Sequence, residues 1–155
     1  MTQLDLAQNS LWQLFLKVHT HLVERVEQNF RQAELPPFEW YDVLVALKQA
    51  PNRRLRLSEL ADALLVNRTN VTRLVDRLEK AGLLYREMCP SDRRGTYAVL
   101  TEAGLAMQQQ MWSVYSKGIA EYFGCHLNDE ELQVMQQVLE RMLAGVCNRS
   151  ASPLG

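Results

Sequence analysis

The residues between Arg68 and Arg77 carry side chains that could read nucleic acid. Arginine pairs bidentately with guanine and asparagine with adenine, and hydroxyl groups reach base edges or phosphates. At 100° per residue, Thr69, Arg73 and Asp76 lie opposite the apolar stripe of this segment. The segment therefore predicts a recognition helix whose first turns enter the major groove, and the alternative is an ordinary solvated helix face. The candidate DNA-binding residues of this helix are Arg68, Thr69, Asn70, Thr72, Arg73 and Arg77.

Residues 91–95 form a second basic element, a polar loop between two segments rich in β-formers. Arg93 and Arg94 present adjacent guanidiniums, which suit a narrow, electronegative minor groove. Asp92 is expected to hold one of them in place. This loop predicts the tip of a DNA-binding wing, with a solvated turn as the alternative.

Cys89 is the candidate for redox chemistry. Arg86 on one side and Arg93 and Arg94 on the other favour its thiolate, the form that oxidants attack. The alternative is a small, inert packing residue. The chain has three cysteines at unrelated spacings, a count that suits neither a disulfide framework nor a zinc site.

The elements that position these residues follow from apolar periodicity. Steps of three and four predict a first helix over residues 10–31 and a second over 38–49. Ser58 is the expected N-cap of a third helix and Asn67 of a fourth, which stops at Gly82. The third and fourth helices form a helix-turn-helix.

A hairpin and two long helices follow. Leu83–Met88 and Thr96–Leu100 are the two predicted strands. Thr101 caps a fifth helix, and Asn128 with Glu131 forms a capping box that opens a sixth. The predicted fold class is mainly α, a winged helix-turn-helix with a small antiparallel β-wing, flanked by N- and C-terminal dimerisation helices.

Charge is segregated along the chain although the net charge is only −1. Residues 53–94 hold ten basic and six acidic side chains, and the remainder holds seven basic and twelve acidic ones. A basic middle between acidic flanks is typical of a nucleic-acid-binding module in a scaffold that does not touch the polyanion.

With 155 residues, 47% of them hydrophobic, and no long apolar run or leader-like start, the expectation is a cytoplasmic globular protein that does not span a membrane.

Enzyme function is not expected, because no nucleophile with its base, phosphate-binding glycine loop or set of metal ligands is visible. No cofactor and no metal are predicted. A winged helix that binds protein is the rival of another class, but it would need an apolar or mixed face where Thr69, Thr72, Arg73 and Arg77 stand.

Two stretches resemble the MarR (multiple antibiotic resistance regulator) family. They are LSELADALLVNRTNVTRLVDRLEKAGLLYRE and SDRRGTYAVLTEAG. Asp92 and Arg94 match the family's Asp-x-Arg wing motif, and Leu100, Thr101 and Gly104 match its Leu-Thr-x-x-Gly helix opening. The resemblance implies one domain over residues 1–155, with a winged helix-turn-helix in 36–100 and dimerisation helices in 10–35 and 101–147.

The resemblance also implies a homodimer on a pseudo-palindromic operator of double-stranded DNA, in most members as a repressor. Small phenolic or aromatic effectors release many members from DNA, and oxidation of a cysteine releases others. The start of the first helix has no cysteine, so the organic hydroperoxide mode is not expected, and the scattered histidines do not suit zinc sensing. A candidate effector pocket, with plain core packing as its alternative, consists of Trp12, Phe15, His19, Trp40, Tyr41 and Trp112.

Overall fold

The computed structural model describes residues 3–64, 70–91 and 95–150, without the side chains of residues 149 and 150. The helices of this described part are α1 (Leu6–Gln32), α2 (Phe38–Gln49), α3 (Leu57–Ala63), α4 (Val71–Lys80), α5 (Glu102–Tyr122) and α6 (Asp129–Ser150). Its strands are β1 (Arg54–Arg56), β2 (Leu84–Met88) and β3 (Thr96–Leu100), and two 3-10 turns lie at Pro51–Arg53 and Gly124–His126. The predicted fold class is confirmed.

Helix α1 begins four residues earlier than the apolar pattern predicted, at Leu6. Asp5 is its N-cap: the carboxylate accepts from the backbone N–H of Gln8 at 2.6 Å. The Gln8 side chain in turn accepts from the backbone N–H of Asp5 at 3.2 Å. This capping box satisfies backbone donors that would otherwise be orphaned, so the helix extends back to Leu6, over residues that the apolar spacing did not include.

The three-stranded antiparallel sheet has the order β1-β3-β2. Strand β1 was not predicted, since three residues are too short for an alternation signal. It pairs Arg54 with Val99 and Arg56 with Tyr97. Because these residues are committed to a strand, α3 starts at Leu57 with Arg56 at its N-cap position. Ser58 therefore lies inside the helix, and its prediction as the cap was wrong.

Three other predicted ends are confirmed. Gly82 has a φ of 77° just after α4, the left-handed conformation that glycine adopts readily. The Thr101 hydroxyl accepts from the N–H of Gly104 at 3.0 Å and donates to the Gly82 carbonyl at 2.7 Å. Asn128 accepts from the N–H of Glu131 at 2.8 Å at the start of α6.

Chain contacts divide the molecule into two compact units, one up to Gly118 and one from Ile119 onward. The first unit holds the core, in which α2 is central and contributes Val43, Leu44 and Leu47, all fully buried. Phe30 from α1, Leu78 from α4 and other buried residues pack in the same cluster. The predicted single domain over residues 1–155, with a winged helix-turn-helix in 36–100 and dimerisation helices in 10–35 and 101–147, stays a prediction. In the described ranges, no helix is both long enough and apolar enough to cross a membrane.

Candidate nucleic-acid interface

Helix α4, the recognition helix from here on, has one buried and one polar face. Leu74, Val75 and Leu78 are buried in the core. Thr72, Arg73, Asp76, Arg77 and Lys80 are exposed. The sequence predicted this division, and it leaves hydrogen-bond donors of the first two turns directed to solvent.

Asn70 caps the recognition helix. Its side-chain oxygen accepts from the N–H of Arg73 at 3.3 Å, and its backbone is left-handed with a φ of 44°. Asparagine tolerates this conformation better than most residues. Asn70 thus orients the first turn, while the predicted cap, Asn67, lies outside the described residues.

Arg86 on β2 links the hairpin to the recognition helix. Its guanidinium donates to the carboxylates of Asp76 and Glu79, at 3.0 Å for Glu79, and to the Thr72 carbonyl at 3.3 Å. Partial burial works to lower the pKa of Arg86, but the hydrogen bonds to Asp76 and Glu79 outweigh it and raise the pKa above its ordinary value. Helical spacing would also allow Asp76 to pair with Arg73 or Lys80, and the structure shows Arg86 as its partner.

Arg77 of the recognition helix forms an ion pair with Glu39 of α2. Its guanidinium lies 3.8 Å from the carboxylate of Glu39, and 64% of the Arg77 side chain remains exposed. A solvated ion pair of this kind is weak. Arg77 therefore stays available for a contact with phosphate.

Five predicted DNA-binding residues lie outside the described residues: Arg68, Thr69, Asp92, Arg93 and Arg94. The residues of the proposed interface that the structure describes are thus Asn70, Thr72, Arg73 and Arg77. Their places on the helix agree with the sequence prediction, and their roles toward DNA stay predictions.

Cys89 follows β2 and is buried. Its sulfur lies 3.3 Å from the Ser91 hydroxyl and 3.8 Å from the Tyr97 hydroxyl, and it accepts from the Arg56 guanidinium at 3.7 Å. Hydrogen bonds from Ser91 above all lower the pKa of Cys89 to about 7, against the opposing effect of burial. Tyr97 and the charge of Arg56 lower it further.

Arg86 was expected to supply positive charge to Cys89, and this prediction was wrong. The Arg86 guanidinium pairs with Asp76 and Glu79 of α4, and the charge that acts on Cys89 is that of Arg56. Arg56 and Tyr97 were missed: the pairing of β2 with β3 brings Tyr97 to Cys89, and the pairing of β1 with β3 then places Arg56 beside Tyr97. The guanidinium carbons of Arg54 and Arg56 lie 4.7 and 5.8 Å from the centre of the Tyr97 ring. Because β1 is only three residues long, the sequence offered no alternation signal that could have placed Arg56 here.

Four of the five aromatic residues of the candidate effector pocket form two ring contacts with one another. Trp12 and Phe15 on α1 have ring centres 6.3 Å apart. Tyr41 stacks on Trp112 at 6.5 Å, with an angle of 14° between the rings. Tyr41 is buried and Trp112 is exposed over 46% of its surface. Of the other two members, Trp40 is half-buried and His19 is exposed.

Within the described ranges, no cluster of three or more His, Cys, Asp or Glu side chains is arranged to hold a metal ion. The proposed interface itself consists of hydrogen-bond donors and cations on a rigid helix.

Two helices joined through residues 65–69 and followed by a β-hairpin define this chain as a winged helix-turn-helix protein. A sequence profile of the MarR family matches residues 36–95. The crystal structure of Sco3205, a MarR family transcriptional regulator from Streptomyces coelicolor in complex with DNA, has a similar fold. The TM-score is 0.85 at 27% identity, over 94% of this chain and 91% of Sco3205. Residues 36–95 thus match the MarR family in sequence, and the chain is similar in fold to MarR family regulators.

Curated relatives agree with this assignment. The HTH-type transcriptional regulator MhqR of Bacillus subtilis (strain 168) is 31% identical over 86 residues, which cover 56% of this chain and 59% of MhqR. The transcriptional repressor MprA of Escherichia coli (strain K12) is 30% identical over 101 residues, which cover 65% of this chain and 57% of MprA. The chain thus spans less than two thirds of the length of either relative.

Proposed function

We propose that this protein is a transcriptional regulator that binds double-stranded DNA sequence-specifically through the recognition helix and the wing. The observation that carries the proposal is the exposed face of α4, where Thr72, Arg73 and Arg77 stand opposite three buried apolar residues. A protein-binding winged helix would need apolar side chains there. That Sco3205 was crystallised with DNA supports the same use of the fold.

The mode of action we propose is repression by a homodimer on a pseudo-palindromic operator. The relative MprA is a repressor, and two-fold symmetry of a dimer would require palindromy. Selection from a random duplex library followed by binding across a salt series tests the proposal. We expect an inverted repeat with half-sites roughly 34–36 Å apart and an affinity that falls steeply with salt. Failure to enrich any sequence would contradict sequence-specific binding.

Arg73→Ala is expected to weaken binding to the selected duplex by about 1–3 kcal/mol and to relax base preference at one position per half-site. The reason is loss of a bidentate contact with guanine. The measurement is fluorescence anisotropy with the selected duplex and single-base variants of it. Arg31→Ala, an exposed arginine in the last turn of α1, is the control. An Arg73→Ala protein with unchanged affinity and base preference would remove Arg73 from the interface. Thr69 is proposed to share this base reading, and Arg94 to reach the minor groove.

We propose that a small aromatic or phenolic molecule releases the protein from DNA. The supporting observation is the stack of Tyr41 and Trp112, with one ring buried and the other reaching solvent. Burial raises the pKa of the Tyr41 hydroxyl above its ordinary value. A thermal-shift screen of phenolic compounds is the test, since a ligand of the folded state raises apparent stability. Trp112→Ala should abolish the shift of any hit that stacks there.

A second candidate signal is oxidation of Cys89, favoured by the lowered pKa of its thiol. The thiolate sulfur would attack one oxygen of hydrogen peroxide, giving a sulfenic acid and hydroxide, with two electrons passing from sulfur to the peroxide. Because Cys89 is buried, only a small oxidant is expected to reach it. The modified sulfur would disturb the contacts with Ser91 and Tyr97 at the base of the wing.

The fraction of Cys89 thiolate should rise with pH through a midpoint of about 7. The ultraviolet absorbance of the thiolate, taken as the difference between wild type and Cys89→Ser across a pH series, measures this fraction without a reagent that must reach the buried sulfur. Ser91→Ala should move the midpoint upward, because the strongest stabilising hydrogen bonds come from Ser91.

Operator affinity is then compared for wild type and Cys89→Ser before and after mild peroxide, with thiol reductant added last. Equal peroxide sensitivity of the two proteins would exclude Cys89 as the sensor.

A further inference from the structure

Arg86 contacts three acceptors along one side of the recognition helix. They are the Thr72 carbonyl and the carboxylates of Asp76 and Glu79. Four and then three residues separate these positions, the spacing that aligns them on a helix. The backbone N–H of Arg86 also donates to the second oxygen of Glu79, at 2.7 Å. The guanidinium is therefore held by α4, and 26% of the Arg86 side chain is exposed.

Asp76 and Glu79 are the acidic residues of the recognition helix. Their side chains are 50% and 38% exposed, so their negative charges would repel a polyanion bound along the same helix. At physiological salt, charges within a Debye length of about 8 Å of the phosphates act on them with little screening. Two unpaired carboxylates there would oppose DNA binding.

We propose that Arg86 is a positioning residue for DNA binding, which holds Asp76 and Glu79 in ion pairs and so keeps their charge from repelling the phosphates. The proposal rests on the proposed DNA binding by α4. It assigns Arg86 a role on the hairpin that does not require contact with DNA. The same contacts fix β2 to the helix, so Arg86 also contributes to stability, and the test must separate the two effects.

The test compares binding of wild type and variants to a labelled mixed-sequence duplex about three helical turns long, at low salt. Arg86→Gln is expected to weaken binding by about tenfold or more, because it leaves two carboxylates without their ion-pair partner. Adding Asp76→Asn and Glu79→Gln to Arg86→Gln should restore affinity to within about threefold of wild type. The urea midpoint of this triple variant should remain low, because the ion pairs are not restored. If Arg86 acted only through stability, the triple variant would show both weak DNA binding and a low urea midpoint.

A charge-matched control excludes a general effect of net charge. Arg86→Gln combined with Glu59→Gln and Asp62→Asn removes two exposed carboxylates from α3 instead, and it should bind as weakly as Arg86→Gln alone. Equal rescue by both triple variants, or wild-type affinity of Arg86→Gln, would overturn the proposal. If Arg86→Gln does not fold, Arg86→Lys decides, because it keeps the positive charge beside the two carboxylates but loses the planar guanidinium geometry: affinity within about threefold of wild type at a lowered urea midpoint supports the proposal, and a loss of about tenfold or more refutes it. Wild type that fails to bind the duplex would refute DNA binding itself.

Discussion

Replacing Gly104 with alanine is expected to destabilise the protein by about 3 kcal/mol or more. Gly104 is buried in the first turn of α5, and a β-carbon there would lie 2.0 Å from the carbonyl oxygen of Leu83 and 2.6 Å from Cδ1 of Leu100. The Leu83 oxygen belongs to the backbone and accepts from the N–H of Thr101 at 3.1 Å, so it cannot move aside cheaply. The start of α5 would have to leave the hairpin. Urea unfolding followed by circular dichroism, at one protein concentration, measures the shift of the midpoint.

Gly145→Ala in α6 is the matched control, because nothing lies within 4 Å of a β-carbon at that position. There the same substitution should stabilise the helix by roughly 0.5–1 kcal/mol, since alanine loses less conformational freedom than glycine. Opposite signs at the two positions would identify the close approach as the cause. A Gly104→Ala protein with the wild-type midpoint would contradict the packing of α5 against Leu83.

Leu14→Glu/Val18→Glu is expected to convert a homodimer into folded monomers and to abolish operator binding. The two side chains are 57% and 45% exposed and lie on the apolar stripe of α1. Helix α6 shows the same feature in its own unit, with Met142 and Leu143 56% and 65% exposed. Apolar surface of this extent on long helices indicates a partner surface, and we propose a second copy of the chain as the partner.

Sedimentation velocity at micromolar concentration is the measurement. Burying unpaired carboxylates costs several kcal/mol, so dimer affinity should fall by about a thousandfold or more. Since Leu14 and Val18 are exposed in the protomer, helical circular dichroism should change little. Gln13→Glu/Thr20→Glu, on the opposite side of α1, is the control and should remain dimeric. Wild type that sediments as a folded monomer would refute the dimer.

Local chemistry made several features predictable. Helix α2 spans the predicted residues 38–49, and Gly82, Thr101 and Asn128 end or begin helices as expected. Each of these depends on hydrogen bonds or backbone preferences within three or four residues, which short sequence patterns record. The polar face of the recognition helix was predictable for the same reason, since helical spacing separates it from Leu74 and Leu78.

Contacts between distant segments decided the rest. Strand β1 exists because residues 54–56 find a partner in β3 more than forty residues later, and this pairing displaced the expected cap of α3. Asp76 could have paired along its own helix, but the packing of β2 against α4 brings Arg86 to it. The charged neighbour of Cys89 is likewise Arg56 of β1 and not Arg86, which is three residues away in the sequence. Which residues share a helix face follows from their order along the chain, because helical geometry is local. Which charges meet follows from how the strands and helices pack, because an ion pair depends on the distance between side chains and not on their separation along the chain.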